Sequence, residues 1–188
     1  MKLIQDTKEF FKRPFFSDER TLWGLWMLLP LIAALLKIHK HNNYLIFRGV
    51  FWHTWDKVSL YTEYPQEYFD TNHYGPFFSL VIAPFALMPE WVGLLLWLKA
   101  LSLSLFLATR GLPIDYRKKV FIYWFCAHEL LTALFMSQFN IAIAAIIIAT
   151  FYCIEKRKRY MGYDDHSDRN ICETIWHSGL GILLLLSP

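Results

Sequence analysis

Four apolar runs of near-membrane length, each closed by a polar or basic break, set the pattern of this 188-residue chain. They cover Thr21–Leu36, Trp91–Thr109, Val120–Met136 and Phe139–Ile154. A hydrocarbon core of ~30 Å takes a helix of ~20 residues, so each run predicts a membrane-spanning helix. Lys37 and Lys40 follow the first run, where long basic side chains can reach back to the interface. Pro89-Glu90, the basic stretch from Arg110 to Lys119, Ser137-Gln138 and Glu155–Arg159 mark the other boundaries. A fifth apolar stretch, Phe77–Met88, is only ~18 Å long as a helix at ~1.5 Å per residue. It is expected to lie at the interface or re-enter rather than cross. The predicted fold is therefore all-α, a polytopic bundle of about four spans. A loop from about His39 to Gly75 leads into the interfacial helix.

Composition agrees with a membrane class: 55% of residues are hydrophobic, 18% aromatic and 19% charged. The charged share lies below the usual quarter of soluble domains. A net charge of +3 is too small to argue for nucleic acid, and the basic residues sit beside apolar runs, as membrane topology requires. Lys2, Lys8, Lys12, Arg13 and Arg20 precede the first run. Arg110, Arg117, Lys118 and Lys119 form a second basic cluster, and Lys156, Arg157, Lys158 and Arg159 a third. The positive-inside rule predicts all three on the cytoplasmic side, with the N-terminus, in a multi-pass protein of the cell membrane. No small-residue cleavage site follows the first run, which is expected to stay as an anchor. The three cysteines, Cys126, Cys153 and Cys172, lack metal-ligand spacing, and two lie in apolar runs as free thiols. With this topology the aromatic loop and the Ser137-Gln138-Phe139-Asn140 turn share the extracytoplasmic face.

The loop holds the candidate chemistry. Its carboxylates are Asp56, Glu63, Glu67 and Asp70, set among Tyr44, Trp52, Trp55, Tyr61, Tyr64, Tyr68 and Tyr74. Aromatic faces stack on sugars and carboxylates act as bases, although an interfacial aromatic belt has the same composition. Asp70 and His73 have D-x-x-H spacing, fit for a cation, an acid/base pair or a simple turn contact. Gln138 and Asn140 read either as a tight helix–helix turn or as hydrogen-bonding groups for a phosphate or sugar. Lys99 and Glu129 are the charges well inside spans, at similar depth, and are expected to pair between helices.

The order of these motifs resembles the GT-C membrane glycosyltransferases. The closest group is glycosyltransferase family 87, also described as DUF2029. The residues that carry the resemblance are Leu60, Tyr61, Tyr74, Gly75, Pro76, Pro84 and Pro89, then Trp97, then Ser137, Gln138 and Asn140, within about residues 20–158. The resemblance implies an inverting, mannosyltransferase-like enzyme. Its donor would be a polyprenyl-phosphate sugar held among membrane lipid, with no further cofactor. A carboxylate in the first extracytoplasmic loop would serve as base. The family's aspartate just after the first span is replaced here by Asn42-Asn43-Tyr44. The base role then passes to Asp70, or to Asp56 or Glu67, with Asp70 favoured for its place beside His73-Tyr74-Gly75-Pro76. Asn43, Tyr61, His73, Tyr74, Gln138 and Asn140 are the expected substrate contacts. The alternative reading is a small non-enzymatic multi-pass protein or partner subunit.

After Arg159 the character changes. Residues 160–188 read as a polar tail with a short apolar end, outside the pattern of residues 1–159. The codons of this tail permit an apolar run followed by Val-Lys-Leu-Tyr-Gly-Ile when read one base forward. That is the expectation for a longer transferase truncated by a frameshift near Lys158–Met161.

Overall fold

The computed structural model describes residues 13–37 and 41–160. These residues form seven helices and no strand. They are α1 (Pro14–Ser17), α2 (Glu19–Lys37), α3 (Asn42–Trp55), α4 (Phe78–Ala86), α5 (Glu90–Gly111), α6 (Tyr116–Phe135) and α7 (Asn140–Tyr160). All-α architecture is as the pattern predicts, and four of these helices fall on the four long apolar runs. By length and apolarity α2 and α5 qualify to cross a membrane. Helices α6 and α7 have 20 and 21 residues but carry basic clusters within their ends. The tail from residue 161 lies outside the described residues.

Local signals fix the helix ends. Asp115 caps α6 by accepting from the Arg117 N–H at 2.9 Å. Glu90 lies in the first turn of α5, where a carboxylate meets the positive end of the helix dipole. Helix α6 closes through two backbone bonds, from Ser137 N to Leu134 O at 2.9 Å and from Gln138 N to Ala133 O at 3.0 Å. This is a Schellman ending with Ser137 in the left-handed region, at φ 49. That conformation explains why a small residue opens the Ser-Gln-x-Asn turn.

Helix α2 packs on both α5 and α6, and α5 packs on α7. The contacts give their directions. Glu19 at the start of α2 bonds Arg110 at the end of α5 at 3.0 Å. His41, just beyond α2, bonds Glu90 at the start of α5 at 2.8 Å. The two helices are thus antiparallel. Tyr116 at the start of α6 donates to Ser17 O, and the Lys37 ammonium lies 5.7 Å from the Phe135 ring near its end. Helix α6 therefore runs with α2. Gly111 meets Tyr152, so α7 returns beside α5. The basic stretches around 13–20, 110–119 and 155–159 consequently gather at one end, and the aromatic loop and the 137–140 turn at the other.

Trp26 locks the bundle centre. Its indole N–H donates to Tyr123 O at 3.2 Å, and its carbonyl accepts from Ser102 Oγ at 2.6 Å. Its ring packs edge-on against Phe106 and Tyr123. One buried side chain thus ties α2, α5 and α6 with its polar atoms satisfied.

Two expectations need correction. Residues 42–55 are helix rather than loop. Tyr44, Phe47 and Phe51 recur at helical spacing and are buried as one face. The expected Lys99–Glu129 pair does not form. Helix α2 lies against both α5 and α6, which touch each other little. Glu129 instead lies 3.4 Å from its neighbour His128 on the outer surface, with a side chain 80% exposed. The expected short helix is present as α4. Its nine residues reach ~13 Å, under half of a ~30 Å core.

Candidate functional site at the loop end of the bundle

Helix α3 is the platform of this end. Phe47 sits edge-on to Phe78, Trp97 and Tyr74, with ring centroids 5.1, 5.9 and 5.1 Å away. Gly93 lets the corner close: a Cβ there would lie 2.1 Å from the Tyr44 hydroxyl and 2.3 Å from Phe85 O. Tyr44 donates to that same carbonyl at 3.1 Å, and burial pushes its phenol up to about 12.

The loop folds back along α3 and is fastened by asparagines. The Asn42 amide donates to Phe69 O at 2.6 Å and accepts from Phe69 N at 2.7 Å. Asn43 donates to Met136 O at 2.7 Å. An ionised aspartate has no proton to donate at either carbonyl. Residues 42 and 43 thus donate as amides, which an ionised aspartate at either position would not do. Asn72 holds the next turn, donating to Tyr74 O at 2.8 Å and accepting from Tyr74 N at 2.9 Å. Tyr74 then packs against Phe78 and Phe139, its phenol raised by burial.

Two polar clusters flank this core. Glu90 receives Arg48 at 3.0 Å and His41 at 2.8 Å, joining α3, the end of α2 and the start of α5. Farther along α3, His53 Nε2 lies 3.1 Å from Glu67 Oε2. Tyr64 lies on the His53 ring at 3.8 Å, and the Tyr68 ring fills the notch at Gly49. Burial, then Glu67, then Tyr64 raise the Tyr68 phenol, which stays protonated.

Below the aromatic core a groove runs between α4, α5 and α7. Its volume is about 650 Å³, and its lining is almost wholly apolar. Phe85, Trp97 and Phe139 stand at the loop end, and Gly111 and Tyr152 at the other. From Trp97 to Gly111 is ~21 Å along α5 at ~1.5 Å per residue. Ala142, Ala145 and Ala149 keep the α7 wall thin. Trp97 is buried with its indole N–H unpartnered. Among the described residues no three His, Cys, Asp or Glu side chains gather as a metal site.

The model of glycosyltransferase family 87 matches residues 72–185, more than half of the chain. The chain belongs to glycosyltransferase family 87. No curated protein and no solved structure matches it. The matched span includes Tyr74, the aromatic core, the groove and the 137–140 turn, and it continues through the tail after Arg159. This family 87 chain thus carries the framework of a membrane glycosyltransferase.

Within that framework the expected site residues divide. Tyr74 of the loop packs on Phe139 in the 137–140 turn, and Asn43 of α3 bonds Met136 O just before it, so the expected convergence of the two features is present. Gln138 is half-buried, and Asn140 is exposed at the start of α7. Tyr61 and His73 are exposed on the loop. Asp70 is also exposed, in the left-handed region at φ 79, and its Oδ1 accepts from Thr71 N at 2.8 Å. Among the described residues no ion pair links it to His73, so the D-x-x-H spacing makes no dyad. The sequence reading overlooked His41, Arg48, Glu90 and His53. Arg48 and His53 interrupt the apolar run from Tyr44 to Trp55, and a buried charge there needs a partner. That was the available signal, masked by reading the segment as loop.

Proposed function

We propose that this family 87 chain moves a sugar, mannose in the first instance, from a polyprenyl-phosphate donor to an acceptor hydroxyl outside the membrane. The observation that carries the reading is the apolar groove beneath the loop end, sized and lined for an isoprenoid tail. A tail lying there would present its phosphate sugar beside Tyr74, Gln138 and Asn140. The basic stretches around 13–20, 110–119 and 155–159 at the opposite end support a cytoplasmic N-terminus by the positive-inside rule.

The donor phosphate is a ready leaving group, so the protein must orient two substrates and accept one proton. Asp70 is proposed for the proton. Its carboxylate takes the acceptor hydroxyl proton as the oxygen bonds the anomeric carbon. The sugar–phosphate C–O bond breaks on the opposite face, and the phosphate leaves with the electron pair.

The test uses the full chain in proteoliposomes and a mannosyl polyprenyl phosphate bearing a benzophenone on its tail. Light should cross-link the tail to α5 and α7. Ala145→Trp, which fills the groove, should lower cross-linking at least tenfold. Asp70→Asn should keep cross-linking but lower transfer by ~10²–10⁴, the usual contribution of a general base. Undiminished labelling of the Trp variant would exclude the groove as the tail site. Undiminished transfer by the Asn variant would remove Asp70 from the mechanism.

A further inference from the structure

His53 and Tyr68 hold two polar atoms that nothing in the fold satisfies. The His53 side chain is 7% exposed and Tyr68 is 3% exposed. Yet His53 Nδ1 and the Tyr68 hydroxyl are both buried without a hydrogen-bond partner. An unmade bond at such depth destabilises the fold. The two atoms belong to one cluster, with ring centroids 6.2 Å apart, and Tyr64 covers both.

Their chemistry is complementary. An ionised Glu67 carboxylate only accepts, so Nε2 of His53 carries the proton in their 3.1 Å bond. In the neutral ring Nδ1 is then a bare acceptor. The Tyr68 hydroxyl supplies a donor. An alcohol oxygen has the chemistry both atoms lack, a proton to give to Nδ1 and a lone pair to accept from Tyr68.

We propose that His53 and Tyr68 form a subsite for a sugar hydroxyl, braced by Glu67 and separate from the groove. Resting on the transferase reading, it would hold a non-reacting hydroxyl of the acceptor. Glu67 is half exposed and opens the approach from outside, where Trp55 and Tyr61 stand exposed as faces for a sugar ring. Tyr64, lying on the His53 ring at 3.8 Å and donating to Ser59 O at 2.7 Å, must swing aside as the hydroxyl enters.

The test is saturation-transfer NMR of methyl α-mannoside with the full chain in detergent micelles. Wild type should show transfer to the sugar. Tyr68→Phe keeps the ring in the Gly49 notch and removes only the hydroxyl, so it should lower the signal at least fivefold, as should His53→Leu. Donor cross-linking should be unchanged in Tyr68→Phe. A signal absent from wild type, or undiminished by Tyr68→Phe, overturns the subsite and leaves bridging water as its occupant. Mannoside binding without donor cross-linking would retain the subsite and refute the donor reading.

Discussion

The two ends of this molecule are built by different means. The bundle of α2, α5, α6 and α7 is held by apolar burial, with Trp26 as its central tie. The loop end of α3, α4 and the 56–77 segment adds to its aromatic core side chains bonded to distant backbone, and ion pairs at Glu90 and Glu67. The first means is close van der Waals packing, since lipid offers helices no hydrophobic drive to associate. The second fixes orientation, which is what a site for two substrates requires. Stability should therefore reside mainly in the bundle, and geometry in the loop end.

The strongest way to break this contrast is Trp26→Ala. Removing a fully buried tryptophan should cost ~3–5 kcal/mol, read as the unfolding midpoint in micelles. If the loss is under 1 kcal/mol, the bundle is not the stability centre. Arg48→Met comes next. It leaves Glu90 with His41 alone, and loss of this half-exposed ion pair should remove ~1 kcal/mol. Limited proteolysis should then cut the loop before the bundle opens.

The third test is pH. The folded phenol of Tyr44 titrates at about 12, above its usual 10. The folded state therefore holds its proton where the unfolded chain has released it. Stability from this group is intact below pH 10 and is lost as pH rises towards 12. Tyr44→Phe should flatten that fall relative to wild type, and parallel curves would refute the assignment. The smallest effect is expected at Ser137→Gly. Relief of the left-handed backbone should raise stability by ~0.5 kcal/mol, without altering the helix ends.

The bundle was legible in the sequence because burial repeats at helical period, and the four long runs landed on helices within a few residues. Helix α3 was not. Asn42, Arg48, His53 and several aromatics gave it the composition of a surface loop, and only the spacing of Tyr44, Phe47 and Phe51 betrayed a buried face. The same limit hid the site's contacts. Asp70 and His73 are close in sequence but form no pair, whereas Arg48 reaches Glu90 across 42 positions. Lys99 and Glu129 share a depth, but depth along an axis says nothing of which helix lies between.

The bond from Asn43 to Met136 has a consequence in time. Its partners are 93 residues apart, so a ribosome adding ~5–20 residues per second makes the second roughly 5–20 s after the first. Until then the α3 platform has emerged without its far anchor, and Tyr74 without Phe139. The loop end is consequently among the last parts of the helical framework to mature during synthesis.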